Sequence, residues 1–125
     1  IPLNARSTLC RVQSIAEDRF GDLWVGLFSS GLDRLDRKSG TFTHYRRDPA
    51  NPKSLSDDRV YALLEDNAGT LWVGTYAGGL NKFDRRSGSF TVYVHNDSIQ
   101  SSLGGKGVWA LCEDRDGSLW VGTYG

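Results

Sequence analysis

Short apolar runs separated by glycine-containing turns predict a chain built from β-strands. Residues 60–64 form an apolar run, and a turn holding Gly69 leads to a second apolar run at 71–76. Residues 80–84 and 89–94 alternate apolar and polar positions, which is the period-two pattern of a strand with one buried face. No stretch has the 3.6-residue periodicity of an amphipathic helix. The pattern therefore predicts four consecutive strands and no helix.

The same pattern recurs at an interval of 48 residues. Trp24, Trp72 and Trp120 stand 48 residues apart, each within the phrase Leu-Trp-Val-Gly. Residues 11–48 align with 59–96 without a gap and share 18 identities in 38 positions. Residues 108–125 repeat only the first two strands. Four strands in a period of this length indicate a propeller blade. A two-sheet sandwich would not require a gapless repeat.

We therefore predict an all-β fold, a β-propeller fragment with about two and a half four-stranded antiparallel blades. All blades belong to one propeller domain, and one leucine of each linker (Leu55, Leu103) should plug into the body. A ring normally needs at least four blades, so the chain is expected to be a fragment or a unit that assembles with other copies. The predicted segments are a lead-in (1–10), blade 1 (11–48), a linker (49–58), blade 2 (59–96), a second linker (97–107) and half of blade 3 (108–125).

Composition narrows the possible partners. The 15 basic and 15 acidic residues give a net charge of zero and form no blocks, so neither nucleic acid nor membrane contact by this segment is expected. No apolar run is long enough to span a bilayer, and residues 1–4 do not read as a signal peptide. Cys10 and Cys112 make neither a disulfide framework nor a zinc site, and Cys112 is expected to be a small buried apolar residue.

The repeated polar residues are interpreted as structural rather than chemical. A Glu-Asp pair at the end of each first strand could suggest acid-base catalysis, but it recurs in every repeat, so the aspartates are expected to accept backbone hydrogen bonds in turns. No catalytic group, metal site or cofactor is predicted. The repeated tryptophans could form a binding ladder, but their setting in Leu-Trp-Val favours packing between blades. The predicted structural anchors of the repeat are Asp18, Asp66, Asp114, Trp24, Trp72, Trp120, Gly26, Gly74 and Gly122.

A ligand surface should come from the loops between second and third strands and from the residues that enter the first strands, since these share one face. Aromatic platforms beside hydrogen-bonding groups suit sugar rings. Alternatively Tyr76 and Tyr124, which occupy equivalent positions, are structural. The candidate ligand-binding residues are Phe28, Ser29, Tyr76, Tyr124, Arg11 and Arg59.

Residues 65–84, read as Glu-Asp-x-x-Gly-x-Leu-Trp-Val-Gly-Thr-x-x-Gly-Gly-Leu-Asn-x-Phe-Asp, resemble the two-component regulator propeller repeat. The first repeat departs from it at 27–31, which leaves the equivalence of that loop open. The resemblance implies a seven-bladed propeller in the periplasmic sensor region of a bacterial inner-membrane receptor. It also implies a receptor homodimer and a kinase or cyclase module elsewhere in the parent protein.

The function that this resemblance implies is sensing of a ligand, an oligosaccharide in many family members, by binding and not by catalysis. Two alternatives remain open at this stage. The propeller could be a scaffold or dimerisation surface without a small ligand. It could also be an enzyme such as a lyase or glycosidase, which would need non-repeated acid and base residues.

Overall fold

The computed structural model describes residues 11–96, 98–99 and 102–125, and every regular element among them is a β-strand. The predicted all-β fold is confirmed. No helix in the described segments could cross a bilayer. The ten strands are β1 (Val12–Glu17), β2 (Leu23–Leu27), β3 (Leu32–Asp36), β4 (Thr41–Tyr45), β5 (Val60–Glu65), β6 (Leu71–Thr75), β7 (Leu80–Asp84), β8 (Ser89–Tyr93), β9 (Gly107–Glu113) and β10 (Leu119–Tyr124).

The strands form three separate antiparallel sheets. Blade 1 has the order β1-β2-β3-β4, blade 2 has the order β5-β6-β7-β8, and half-blade 3 is the pair β9 and β10. Each strand pairs with the next along the chain, so every sheet is a meander. The first strand of blade 2 lies between the first strands of its neighbours. Stacked four-stranded meanders are the architecture that the 48-residue repeat predicts.

The core lies between blades 1 and 2. Trp24 is completely buried, and its ring centroid lies 5.8 Å from that of Tyr45 and 5.0 Å from that of Phe83. Phe90 packs edge-on against Tyr45 at 5.7 Å. Leu55, from the linker, enters the same cluster and is 1% exposed. Apolar side chains of two blades and their connection therefore hold the sheets together.

The interface between blade 2 and half-blade 3 has an equivalent cluster of side chains, which is partly open. The groove between blade 2 and half-blade 3 is lined by residues equivalent to those around Trp24, among them Trp72, Tyr93 and Leu103. Leu103 is half-buried, unlike Leu55. The strands that carry Phe83 and Phe90 in blade 2 have no counterpart among the described residues of half-blade 3.

Two expectations about single residues do not hold. Cys112 is exposed, because β9 buries its beginning (Gly107 and Val108) against blade 2 and no described residue covers its far end. Trp120 is 65% exposed and does not pack between blades, because no described strand lies over that face of β10. Cys10 lies outside the described residues.

Candidate ligand-binding site

Each first strand contains a β-bulge at the same position of the repeat. In β5, Val60 and Ala62 lie opposite consecutive residues of β6, which leaves Tyr61 as an extra residue. The same shift of register makes Gln13 the extra residue of β1 and Trp109 the extra residue of β9. A bulge bends its strand and re-aims the extra side chain away from the regular alternation of the sheet.

The two aromatic bulge residues lie in a continuous group of rings, here called the aromatic row, that consists of Phe28, Tyr61, Tyr76, Trp109 and Tyr124. Phe28 stacks on Tyr61 with ring centroids 6.0 Å apart, and Tyr61 meets Trp109 edge-on at 5.3 Å. Tyr124 lies 4.9 Å from Trp109 and 5.5 Å from Tyr76. Trp109 is 56% exposed, whereas the other four side chains are half-buried. The row therefore presents aromatic surface contributed by all three blades.

Two arginines cover the row from the start of the first strands. The Arg11 guanidinium lies 4.7 Å from the centre of the Phe28 ring, and that of Arg59 lies 4.4 Å from the centre of the Tyr76 ring. The backbone supports the same arrangement in both blades, because the amides of Phe28 and Tyr76 donate to the carbonyl oxygens of Arg11 and Arg59. These distances are within the range of cation–π attraction.

The two arginines differ in charge environment. Asp57, only 7% exposed, accepts hydrogen bonds from Arg59 Nε at 3.0 Å and Nη2 at 3.1 Å. Its second oxygen also accepts the backbone N–H of Ala77 at 2.8 Å. Arg59 is thus neutralised and fixed to the loop that carries Tyr76, whereas Arg11 is exposed.

Half-blade 3 has no arginine at the position from which Arg11 and Arg59 cover the row. Gly107 stands at the position of Arg59, and a Cβ atom there would overlap the Tyr124 ring. The Tyr124 hydroxyl donates to the carbonyl oxygen of Tyr76 at 2.6 Å, which joins the two blades. Burial, together with the neighbouring Tyr76, raises the pKa of Tyr124 to about 12, so the hydroxyl remains a donor at neutral pH.

The repeated Glu-Asp pairs hold turns and join blades. Asp18 accepts from Trp24 Nε1 at 2.8 Å and from the backbone N–H groups of Phe20 and Asp22. Asp66 and Asp114 accept hydrogen bonds from the equivalent groups of their own blades, which are two backbone N–H groups and Nε1 of Trp72 or Trp120.

The glutamate of each of two pairs reaches the preceding blade. Both carboxylate oxygens of Glu65 accept the backbone N–H of Arg19, at 3.0 and 3.2 Å. Glu113 accepts the backbone N–H of Asn67 in the same way, at 2.9 and 3.2 Å. These two carboxylates therefore have structural partners in the preceding blade.

Comparison with known proteins decides the family. The model of the two component regulator propeller matches residues 8–29, 54–77 and 102–125, which is more than half of the chain. The chain belongs to the two component regulator propeller family. No curated protein matches it.

Two solved structures from B. thetaiotaomicron resemble this member of the family. The extracellular domain of the hybrid two component system BT3049 matches with a TM-score of 0.77 and 26% identity over 90% of this chain. The extracellular domain of the one component system BT4673 matches with a TM-score of 0.71 and 25% identity over 91% of this chain. This propeller segment spans 15% and 16% of those two chains.

Five of the six predicted ligand-binding residues of this regulator propeller come together. Phe28, Tyr76 and Tyr124 belong to the aromatic row, and Arg11 and Arg59 cover it. Ser29 is exposed beside Phe28 and is not part of the stacked group. Whether any of the six binds a ligand stays a prediction.

Sequence reasoning missed Tyr61 and Trp109. Both lie in apolar runs that read as regular buried strands, and nothing in an unbroken apolar run marks a bulge. A signal was available in the repeat, because the position that reads Gln13, Tyr61 and Trp109 changes while the preceding valine is constant. Metal binding has no support in the described segments, where no three His, Cys, Asp or Glu side chains cluster.

Proposed function

We propose that this segment is the extracytoplasmic ligand-sensing part of a two-component receptor and that it binds an oligosaccharide at the aromatic row. The observation that carries the proposal is the continuous group of five rings, which includes the exposed indole of Trp109 and has Arg11 beside Phe28. Sugar rings have apolar faces that stack on aromatic side chains and hydroxyl groups that accept hydrogen bonds from guanidinium groups.

The structural relatives support the placement of the site outside the cytoplasm. Both are extracellular domains, one of a hybrid two component system and one of a one component system. A receptor that carries such a domain transmits binding across the membrane through other parts of its chain. We accordingly propose a periplasmic sensor in a homodimeric receptor, with the chemistry of signalling located in another module.

Signalling by binding rather than catalysis is part of the proposal. Glycoside hydrolysis would require two carboxyl groups free to act as acid and nucleophile or base. The carboxylate that binds Arg59 and two glutamates of the repeated pairs are engaged, since Asp57 accepts hydrogen bonds from Arg59 and Glu65 and Glu113 accept them from backbone amides. These contacts favour a binding surface.

Isothermal titration calorimetry with cellohexaose, laminarihexaose, xylohexaose and trigalacturonic acid tests the proposal on the full chain. We expect at least one of these probes to bind with a micromolar dissociation constant. Chromatography of each mixture after overnight incubation should show the probe unchanged. Conversion of a probe above the protein-free control would replace the sensor with an enzyme. No binding to any probe, together with a dimer in sedimentation analysis, would favour a scaffold.

A further inference from the structure

The three β-bulges have the same backbone but different side chains. From this we infer that Gln13, Tyr61 and Trp109, the bulge residues of the three blades, determine which ligand binds at the aromatic row. The inference rests on the proposed function and assigns recognition of the ligand to one residue position in each blade. The ligand it implies is an oligosaccharide whose apolar sugar face lies toward half-blade 3 and whose hydroxyl groups lie toward blade 1.

The backbone around each bulge is constant. Val60 and Val108, which precede the bulges in β5 and β9, are completely buried. They fill the space above a glycine of the preceding blade, because a Cβ atom on Gly26 would lie 2.6 Å from Val60 Cγ1 and one on Gly74 would lie 2.5 Å from Val108 Cγ1. This packing fixes where the bulges of β5 and β9 stand relative to the blade before each of them.

The bulged residue itself takes no part in that packing. It is the extra residue of its strand and has no partner in the register with the second strand. Gln13 is exposed, Tyr61 is half-buried and Trp109 is 56% exposed. Because neither the strand ladder nor the packing of Val60 and Val108 on the preceding glycines depends on this side chain, its identity can change without altering the backbone of the bulge.

The three side chains differ in the contacts they offer. The Gln13 amide both donates and accepts hydrogen bonds, Tyr61 combines a ring with a hydroxyl group, and Trp109 offers a large apolar ring. The Trp109 ring packs edge-on against the rings of Tyr61 and Tyr124, with centroid distances of 5.3 and 4.9 Å. More than half of the Trp109 surface remains exposed to solvent. A ligand that contacts all three bulge residues would therefore meet mainly stacking surface at half-blade 3 and a hydrogen-bonding group at blade 1.

Exchange of residues between bulges tests the inference without introducing a side chain foreign to the position. Trp109→Gln and Tyr61→Gln place the residue of blade 1 in the other two blades, and Gln13→Trp does the reverse. Trp120→Gln is the matched control, because Trp120 is also an exposed tryptophan of half-blade 3 but lies outside the row. Circular dichroism spectra and thermal midpoints establish that each variant is folded.

The readout is the dissociation constant for each of the four oligosaccharide probes, measured by calorimetry. We expect Trp109→Gln to weaken the tightest probe by about tenfold or more, the equivalent of about 1.4 kcal/mol. Gln13→Trp should change the order of preference among the probes, and Trp120→Gln should change neither affinity nor order. If Trp109→Gln does not fold, Tyr61→Gln and Gln13→Trp decide the question by the same criteria.

The outcomes separate this inference from the proposed function. If the unmodified chain binds a probe but the folded bulge variants keep its affinity within about twofold and its order of preference, the specificity inference is wrong and the sensor proposal stands. If the unmodified chain binds none of the four probes, both are overturned.

Discussion

At the scale of single residues, one aspartate per blade organises the turn between the first two strands. The Asp18 side chain is fully shielded from solvent yet remains ionised, because its oxygens receive hydrogen bonds from an indole, two backbone amides and the Arg85 guanidinium. Burial raises the pKa of Asp18, but these hydrogen bonds, that of Trp24 foremost, outweigh it and the net pKa lies below the ordinary value.

Removal of this carboxylate should destabilise the fold more where the aspartate and its tryptophan are buried than where they are exposed. Asp18→Ala leaves Trp24 Nε1 buried without an acceptor, so we expect the free energy of unfolding to fall by about 3 kcal/mol. Urea unfolding followed by circular dichroism measures the change. Asp114→Ala is the matched control, because Asp114 bonds the equivalent groups around the exposed Trp120 and should lose less. Equal losses would contradict the role given to burial.

The lowered pKa values also predict how stability depends on pH. The pKa values of Asp18 and Asp66 lie below that of an unfolded aspartate, about 3.9. Their stabilisation is present above that value and is lost as the pH falls through the lower folded-state pKa. The unfolding free energy should therefore decrease from pH 5 to pH 3, and less steeply in Asp18→Asn. An increase over this range would show that the sign is wrong.

At the scale of strands, a glycine in the second strand of blade 1 and of blade 2 allows close contact with the next blade. Gly26 and Gly74 lie beneath Val60 and Val108, so a methyl group at either position would overlap a buried valine. At the equivalent Gly122 the nearest atom to such a methyl group is 3.4 Å away, which is an ordinary contact.

Alanine at these glycines should therefore have different effects in different blades. Gly26→Ala forces both Val60 and Ser14 to move, so we expect a loss of about 1–3 kcal/mol in the free energy of unfolding. Gly122→Ala should be neutral or stabilising by up to about 1 kcal/mol, because alanine restricts the unfolded chain. Thermal and urea unfolding compare the two. A loss at Gly122 equal to that at Gly26 would exclude inter-blade contact as the cause.

Strand positions could be predicted from sequence, whereas the bulges could not. Alternation in 80–84 and the apolar run at 71–76 predicted strands that the structure places at Leu80–Asp84 and Leu71–Thr75. The exposure of Trp109 in the run Val-Trp-Ala-Leu-Cys could not be predicted, because an apolar run reads as regular and buried unless its register is known. Cys112 was mispredicted for the same reason.

At the scale of the whole molecule, Arg85 couples blade 2 to blade 1. Its guanidinium donates to Asp18 at 3.1 Å, to Glu65 at 3.0 Å and to the Gly69 carbonyl oxygen at 3.3 Å. Arg37, its equivalent in blade 1, bonds only Gly21 and Glu17 of its own blade among the described residues. The two arginines thus share a position but only one spans an interface.

Arg85→Ala should loosen the interface between blades 1 and 2. Loss of a charge-assisted hydrogen bond to the buried Asp18 costs about 1.5–3 kcal/mol, so amide hydrogen exchange in β2 and β6 should accelerate by about tenfold or more. Arg37→Ala should leave exchange in β6 unchanged. Acceleration by both variants alike would argue against a coupling specific to Arg85.

The glutamates that join neighbouring blades bind backbone groups, which almost any sequence supplies. Glu65 and Glu113 accept hydrogen bonds from the backbone N–H groups of Arg19 and Asn67, and every residue type except proline has such a group. A copied blade therefore carries its own half of the contact and finds the other half on whichever blade precedes it. Tandem duplication within a gene can lengthen such an array without inventing a new interface, and each new copy brings a bulge position free to diverge.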